Sequence, residues 1–209
     1  SLFGQLRWKP VETLEIAAGV RWTDETRKDF ATTLSNAATN TYTPVDLITP
    51  KINSKNWSPE LTVTYTPTDN FTVFGALKQG YKSGSFSITT PASPTKDNSF
   101  GDEKVQGGEI GFKARSSDRS LYVNTAFYYY KYKGLQVGVS QPASDNGIPE
   151  LRTLNAGSSR TYGIDFDANY HPPSIPGLGL NLSLNWNKAK FLSLHGVPCY
   201  GGQTIALGC

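Results

Sequence analysis

Every second residue of this chain repeats one pattern. Leu14, Ile16, Ala18, Val20 and Trp22 are apolar, whereas the residues between and after them, Glu15, Ala17, Gly19, Arg21 and Thr23, are small or polar. Leu61, Val63 and Tyr65 alternate in the same way with Glu60, Thr62 and Thr64, and Ile110, Phe112 and Ala114 with Glu109, Gly111 and Lys113. Tyr162, Ile164, Phe166, Ala168 and Tyr170 oppose Gly163, Asp165, Asp167 and Asn169. The clearest case is Leu178, Leu180, Leu182, Leu184 and Trp186 against Gly179, Asn181, Ser183, Asn185 and Asn187. Period two places alternate side chains on opposite faces of a strand, so each segment predicts a strand with one apolar face. Helical spacing fits none of them.

Two kinds of connection separate the strands. Short turns rich in Pro, Asp, Asn, Ser or Gly fall at Pro10 to Thr13, Pro67 to Asn70, Ser116 to Ser120 and Pro172 to Gly177. Long connections alternate with them at Phe30 to Asn56, Ser87 to Lys104, Ser140 to Glu150 and from Leu192 onward. The turns recur roughly every 50 to 57 residues, marking a repeated unit of one turn, one strand pair and one long loop. About eight strands result, antiparallel because hairpins join each to the next.

The opposite face decides what the apolar face meets. Glu15, Arg21, Glu60, Lys78, Glu109, Lys113, Asp165 and Asp167 lie on it; a second sheet packed over them would bury charges at large cost, whereas a wet lumen solvates them. Several alternating runs persist for nine residues or more, the length of a transmembrane strand. Trp8, Trp22, Tyr65, Tyr170 and Trp186 stand near the ends of runs, where interfacial aromatic girdles belong. These features predict an all-β antiparallel up-and-down transmembrane β-barrel segment of about eight strands, with short periplasmic turns and long extracellular loops. A soluble β-rich binding or adhesive domain is the alternative. Composition supports a folded chain: 37% hydrophobic and 12% aromatic residues are too many for disorder. The net charge of +3 is spread among interleaved acids, so no basic block marks a nucleic-acid partner. A start at Ser1, the absence of Met and an end at Cys209 suggest an excised piece.

Particular stretches resemble the barrel of TonB-dependent outer-membrane receptors. They are Asn56-Trp57-Ser58-Pro59-Glu60 through Tyr65-Thr66-Pro67-Thr68-Asp69, continuing to Gly80-Tyr81-Lys82-Ser83-Gly84-Ser85-Phe86; Glu109-Ile110-Gly111-Phe112-Lys113; Asn124 to Val137 with its Tyr130-Lys131-Tyr132-Lys133-Gly134-Leu135 end; and Asn155-Ala156-Gly157 followed by Tyr162-Gly163-Ile164-Asp165. They cover nearly the whole chain in the family's order. The resemblance implies a barrel of about 22 strands with a plugged lumen, of which residues 1–209 would form about a third, with the plug and remaining strands absent. It also implies import into a Gram-negative cell across its outer membrane, with a ferric siderophore as the commonest cargo. The expected partners are a small metal-chelate ligand, outer-membrane lipid, and TonB through a missing N-terminal region. A passive outer-membrane pore is the other transport alternative.

Catalytic chemistry finds no constellation. His171 stands beside two prolines, His195 lies in the terminal loop, and Gly80-Tyr81-Lys82-Ser83-Gly84-Ser85 lacks nucleophile-elbow spacing. Neither a cofactor nor a metal site is expected. Lys78, Tyr81 and Lys82 could meet an anionic or catecholate ligand near the extracellular end of their strand; the competing reading makes the lysines ordinary lumen wall and Tyr81 part of the girdle. Of Tyr128-Tyr129-Tyr130-Lys131-Tyr132, Tyr128, Tyr130 and Tyr132 share one face while Tyr129 joins Phe127 on the lipid side. Tyr128 and Tyr130 are therefore candidate contacts, with a girdle role as the alternative. The loops Thr39 to Asn53 and Ser140 to Glu150 are candidates without assignable roles. Cys199 and Cys209, spaced C-x9-C without histidine, suit a loop disulfide better than zinc, with an expected contribution of about 2 to 3 kcal/mol.

Overall fold

The computed structural model describes residues 1–89, 92–142 and 149–194. Eight long strands build one sheet: β1 (Leu2–Val11), β2 (Leu14–Lys28), β5 (Lys51–Thr68), β6 (Phe71–Lys82), β9 (Glu103–Arg115), β10 (Leu121–Lys133), β13 (Gly157–Tyr170) and β14 (Leu180–Leu194). They lie side by side in chain order, each antiparallel to the next. Between them stand three hairpins: β3 (Ala31–Asn36) with β4 (Thr41–Val45), β7 (Ser85–Phe86) with β8 (Ser99–Phe100), and β11 (Gln136–Pro142) with β12 (Pro149–Asn155).

Register explains why the alternation is so regular. Trp8, Ile16, Val63, Gly75, Ile110, Phe127, Ile164 and Trp186 follow one another as direct cross-strand partners through all eight strands. A slip of one residue would turn an entire strand's apolar set inward, so each strand locks its neighbour. The outward set is left uncovered by protein: Leu182, Leu184 and Trp186 are each more than half exposed. Among the described residues the buried apolar side chains are Ala76, Val139 and Ala156, too few for a water-soluble core. Burial of the apolar surface falls to lipid. On β13 the outward set runs from Tyr170 to Tyr162, eight residues that at a tilt of about 40° rise roughly 20 Å, close to the height of an outer-membrane barrel's apolar band. A soluble β-domain does not leave such a face bare.

The four short turns stand where the sequence puts them, at one end of the sheet. At Ser116 to Ser120, Asp118 Oδ1 accepts the Ser116 hydroxyl at 2.5 Å and the Ser120 N–H at 3.1 Å. The long connections depart from expectation. Residues 51–56, read as loop, are the start of β5, the stretch at 30–56 contains the β3/β4 hairpin, and the stretch at 140–150 takes in the end of β11 and the start of β12. These segments project beyond the apolar band, where water wets both faces, so no apolar alternation marks them. The last strand also begins at Leu180 rather than Leu178, because residues 172–178 close a turn through the Ile175 N–H to Pro172 carbonyl bond at 3.1 Å and the Leu178 N–H to Ile175 carbonyl bond at 3.2 Å.

Candidate functional site

The inward face of the sheet carries a polar wall centred on β5, β6, β9 and β10. Glu60 lies directly opposite Lys78, and Lys78 opposite Gly107, which in turn faces Tyr130. Lys78 Nζ reaches diagonally to Glu109 Oε1 at 2.7 Å; Glu109 is the cross-strand partner of Tyr128. Gln5 Nε2 donates to Glu60 Oε1 at 3.3 Å. Gly107 is required here: a Cβ on it would stand 2.6 Å from the Tyr130 ring and 2.0 Å from the Tyr129 carbonyl. Its absence leaves room for the Tyr130 ring beside the Gly107 backbone, with the Tyr128 ring 6.3 Å away.

Above this wall opens a concavity of about 1040 Å³. Lys78, Tyr81, Lys82 and Tyr130 all border it, so four of the five residues singled out in the sequence meet at one place. Tyr128 sits one register step lower and does not border it. By register Tyr81 belongs to the outward set with Leu77 and Gln79, and it borders the concavity only at the extracellular end of β6. Arg21, Arg27 and Glu60 also line the cavity. Lys78 and Arg27 are balanced by Glu109 and Glu25, so Arg21 and Lys82 against Glu60 leave the cavity only a modest positive charge. Arg27 Nε is paired with Glu25 at 2.7 Å and Arg21 lies over the Phe3 ring at 5.8 Å. Sequence reading named neither arginine as a site residue, because β2 is far from β6 in the chain and only the register carries both to one opening.

A belt of side-chain hydrogen bonds ties the loops around the mouth. Asp102 Oδ1 accepts the Ser54 hydroxyl at 2.5 Å and the Gly84 N–H at 2.8 Å, while Oδ2 accepts Asn56 Nδ2 at 2.5 Å. Burial raises the carboxyl's pKa, but these hydrogen bonds and the nearby Lys104 charge outweigh it and hold Asp102 below the usual carboxylate range. Asn155 Nδ2 donates to the Gly134 carbonyl at 2.7 Å, and Gln136 Nε2 donates to the Ser83 and Gly101 carbonyls at 3.0 Å each. Gly157 has φ +136, a conformation that favours glycine. The segments Lys82-Ser83-Gly84 and Asn155-Ala156-Gly157, prominent in the sequence, therefore fasten loops to strands. Among the described residues, no group of three or more His, Cys, Asp or Glu side chains converges as a metal site would require. Cys199, Cys209 and His195 lie outside the described residues.

A sheet with a lipid-ready outer face, a charged inner face, short turns at one end and tied hairpins at the other is the wall of an outer-membrane β-barrel. Residues 1–203 match the family described as TonB dependent receptor-like, beta-barrel, and the chain belongs to that family. Among solved structures it is similar to the ferric yersiniabactin uptake receptor of Yersinia pestis, with TM-score 0.67 and 21% identity over 90% of this chain and 26% of that one. The copper transporter OprC gives TM-score 0.64 and 15% identity over 89% of this chain and 29% of that one. The pyoverdine outer membrane receptor of Pseudomonas aeruginosa PAO1 gives 0.59 and 13% over 90% and 24%. The chain thus spans about a quarter of the length of the receptors it resembles.

Proposed function

We propose that this segment, with further strands closing the barrel, forms the wall of a TonB-dependent outer-membrane receptor that imports a small metal chelate, most specifically an anionic ferric siderophore. The carrying observation is the cavity at the extracellular mouth, whose lining includes Arg21, Arg27, Lys78, Lys82 and Tyr130. Cations in a concave, low-dielectric setting concentrate anions and speed their capture. An aromatic ring in the same lining offers a surface on which a catecholate or other planar chelate can rest. Ligand captured there enters a lumen lined by Glu60, Lys78, Glu109 and Tyr128, whose alternating charge keeps the path hydrated without a single deep trap. Energy would come through TonB acting on a plug outside these residues. The ferric yersiniabactin and pyoverdine receptors among the structural neighbours favour iron chelates; the copper transporter marks how widely cargo varies on this fold. In a receptor, no catalytic group is needed.

Uptake of a labelled ferric siderophore by iron-starved cells tests the reading. The full-length protein should support uptake that stops when the proton-motive force is collapsed. Replacing Lys78 and Lys82 by glutamate should weaken ligand binding by about tenfold or more. Uptake that continues without the proton-motive force would instead indicate a passive pore.

A further inference from the structure

The outward face carries a second charged feature that import does not use. On β10, β13 and β14 the outward set changes abruptly from apolar to aromatic to cationic. Tyr129 stacks on Tyr162 at 6.2 Å, and Trp186 meets Tyr162 edge-on at 6.1 Å. These three rings mark the headgroup level. Two residues beyond Tyr129 and Tyr162 toward the extracellular end, roughly 7 Å along the strands, and four beyond Trp186, Lys131, Arg160 and Lys190 stand abreast as direct cross-strand partners. Lys188 shares their face beside Tyr162, and Lys133 continues it on β10.

Like charges opposite one another on adjacent strands repel, yet none of these five makes an ion pair among the described residues. Arg160 lies over the Tyr162 ring at 5.9 Å, and its Nε is buried without a hydrogen-bond partner. The other half of the same face is built differently. Just above Trp22 and Trp57, Asp24 and Lys55 neutralise each other at 3.4 Å. At this depth positive charge is therefore concentrated on one sector of the wall; the like-charged pair of the other sector, Lys28 opposite Lys51, stands four residues further out along β2 and β5. Next to it the outward face holds an apolar groove of about 640 Å³ that Leu61, Leu77, Tyr129 and Lys131 help to line, opened where Gly108 presents no side chain.

We propose that this sector is a binding site for a phosphorylated lipid of the outer leaflet. The lipid phosphate would be held among Lys131, Arg160 and Lys190, with an acyl chain in the adjoining groove. Charge complementarity commits the site to an anionic headgroup, and the apolar groove below commits it to a lipid. The inference rests on the outer-membrane placement of the wall and is independent of cargo.

The test uses the native full-length polypeptide in non-ionic detergent, with bis-phosphorylated lipid A as the probe and native mass spectrometry as the readout. Lys131→Gln, Arg160→Gln and Lys190→Gln combined should weaken lipid binding about a hundredfold, at roughly fivefold per cation, whereas Lys55→Gln should leave it unchanged. Lys190→Gln alone, at an exposed side chain, should give about fivefold and does not depend on the triple variant folding. Dephosphorylated lipid A should bind weakly and equally to parent and variant. Parental affinity in a variant that keeps the heat-modifiable mobility of a folded barrel would overturn the site, as would full displacement of the lipid by millimolar inorganic phosphate. A parent protein showing no folded-barrel mobility would fail the barrel reading itself and overturn the lipid site with it.

Discussion

Asn155 holds Gly101 as a neighbouring strand would: its Oδ1 accepts the Gly101 N–H at 2.6 Å and its Nδ2 donates to the Gly101 carbonyl at 2.9 Å. One carboxamide thus replaces a peptide group and joins the loop before β9 to the end of β12. Asn155→Ala should loosen the mouth at a cost of about 1 kcal/mol, because the site is exposed and water replaces part of what is lost. Asn155→Asp should do worse despite its shape, since a carboxylate cannot donate and would face the Gly101 and Gly134 carbonyls. The rate at which an external protease cuts these loops on intact cells would rank parent, alanine and aspartate in that order; an aspartate variant as resistant as the parent would refute the pairing.

Acid should unlock the same belt at Asp102. Its carboxyl is lowered in the folded protein, so the stability it contributes is fully present above the ordinary carboxylate value near 4 and is lost as pH falls through the lowered folded value. Amides around Ser54, Asn56 and Gly84 should therefore keep their protection against hydrogen exchange, taken relative to the intrinsic rate at each pH, down to about pH 4 and lose it below. Asp102→Asn should lower that protection already at neutral pH.

Close approach at Gly107 makes a sharper prediction. Gly107→Ala would push a methyl group into the Tyr129 carbonyl and the Tyr130 ring and should cost about 1 to 3 kcal/mol. Gly4, on β1, has nothing within 4 Å of an added Cβ. Gly4→Ala should be neutral or slightly stabilising, through reduced backbone freedom in the unfolded chain. Urea midpoints of the protein refolded in lipid separate the two.

Adjacent residues on β14 test which face meets lipid. Leu184 is directed outward, whereas the Ser183 hydroxyl donates to Asp167 Oδ1 at 2.8 Å on the inner face. Leu184→Arg should destabilise the membrane-inserted protein by about 2 to 4 kcal/mol, as an arginine near the bilayer midplane does. Ser183→Arg, placed in water beside Asp167, should change it by less than about 1 kcal/mol. Equal effects would mean that the faces have been assigned wrongly.

The sequence by itself determined the strands, their faces and the short turns, because lipid and water impose opposite demands on alternate residues and leave a period of two wherever a strand crosses the boundary. Tyr129 and Phe127 could be put on the lipid side from that period alone, and Lys78 on the inner wall. Where both faces are wet the signal vanishes, which is why residues 51–56 read as loop and the β3/β4 and β11/β12 hairpins were invisible. Tertiary structure decided the rest through register. It brought Arg21 to Lys82, fastened Ser54 and Gly84 to one carboxylate at Asp102, and set Lys131, Arg160 and Lys190 abreast. Each of these groupings joins residues tens of positions apart, and hydrogen-bonded pairing between strands, which no local pattern encodes, fixes who stands beside whom.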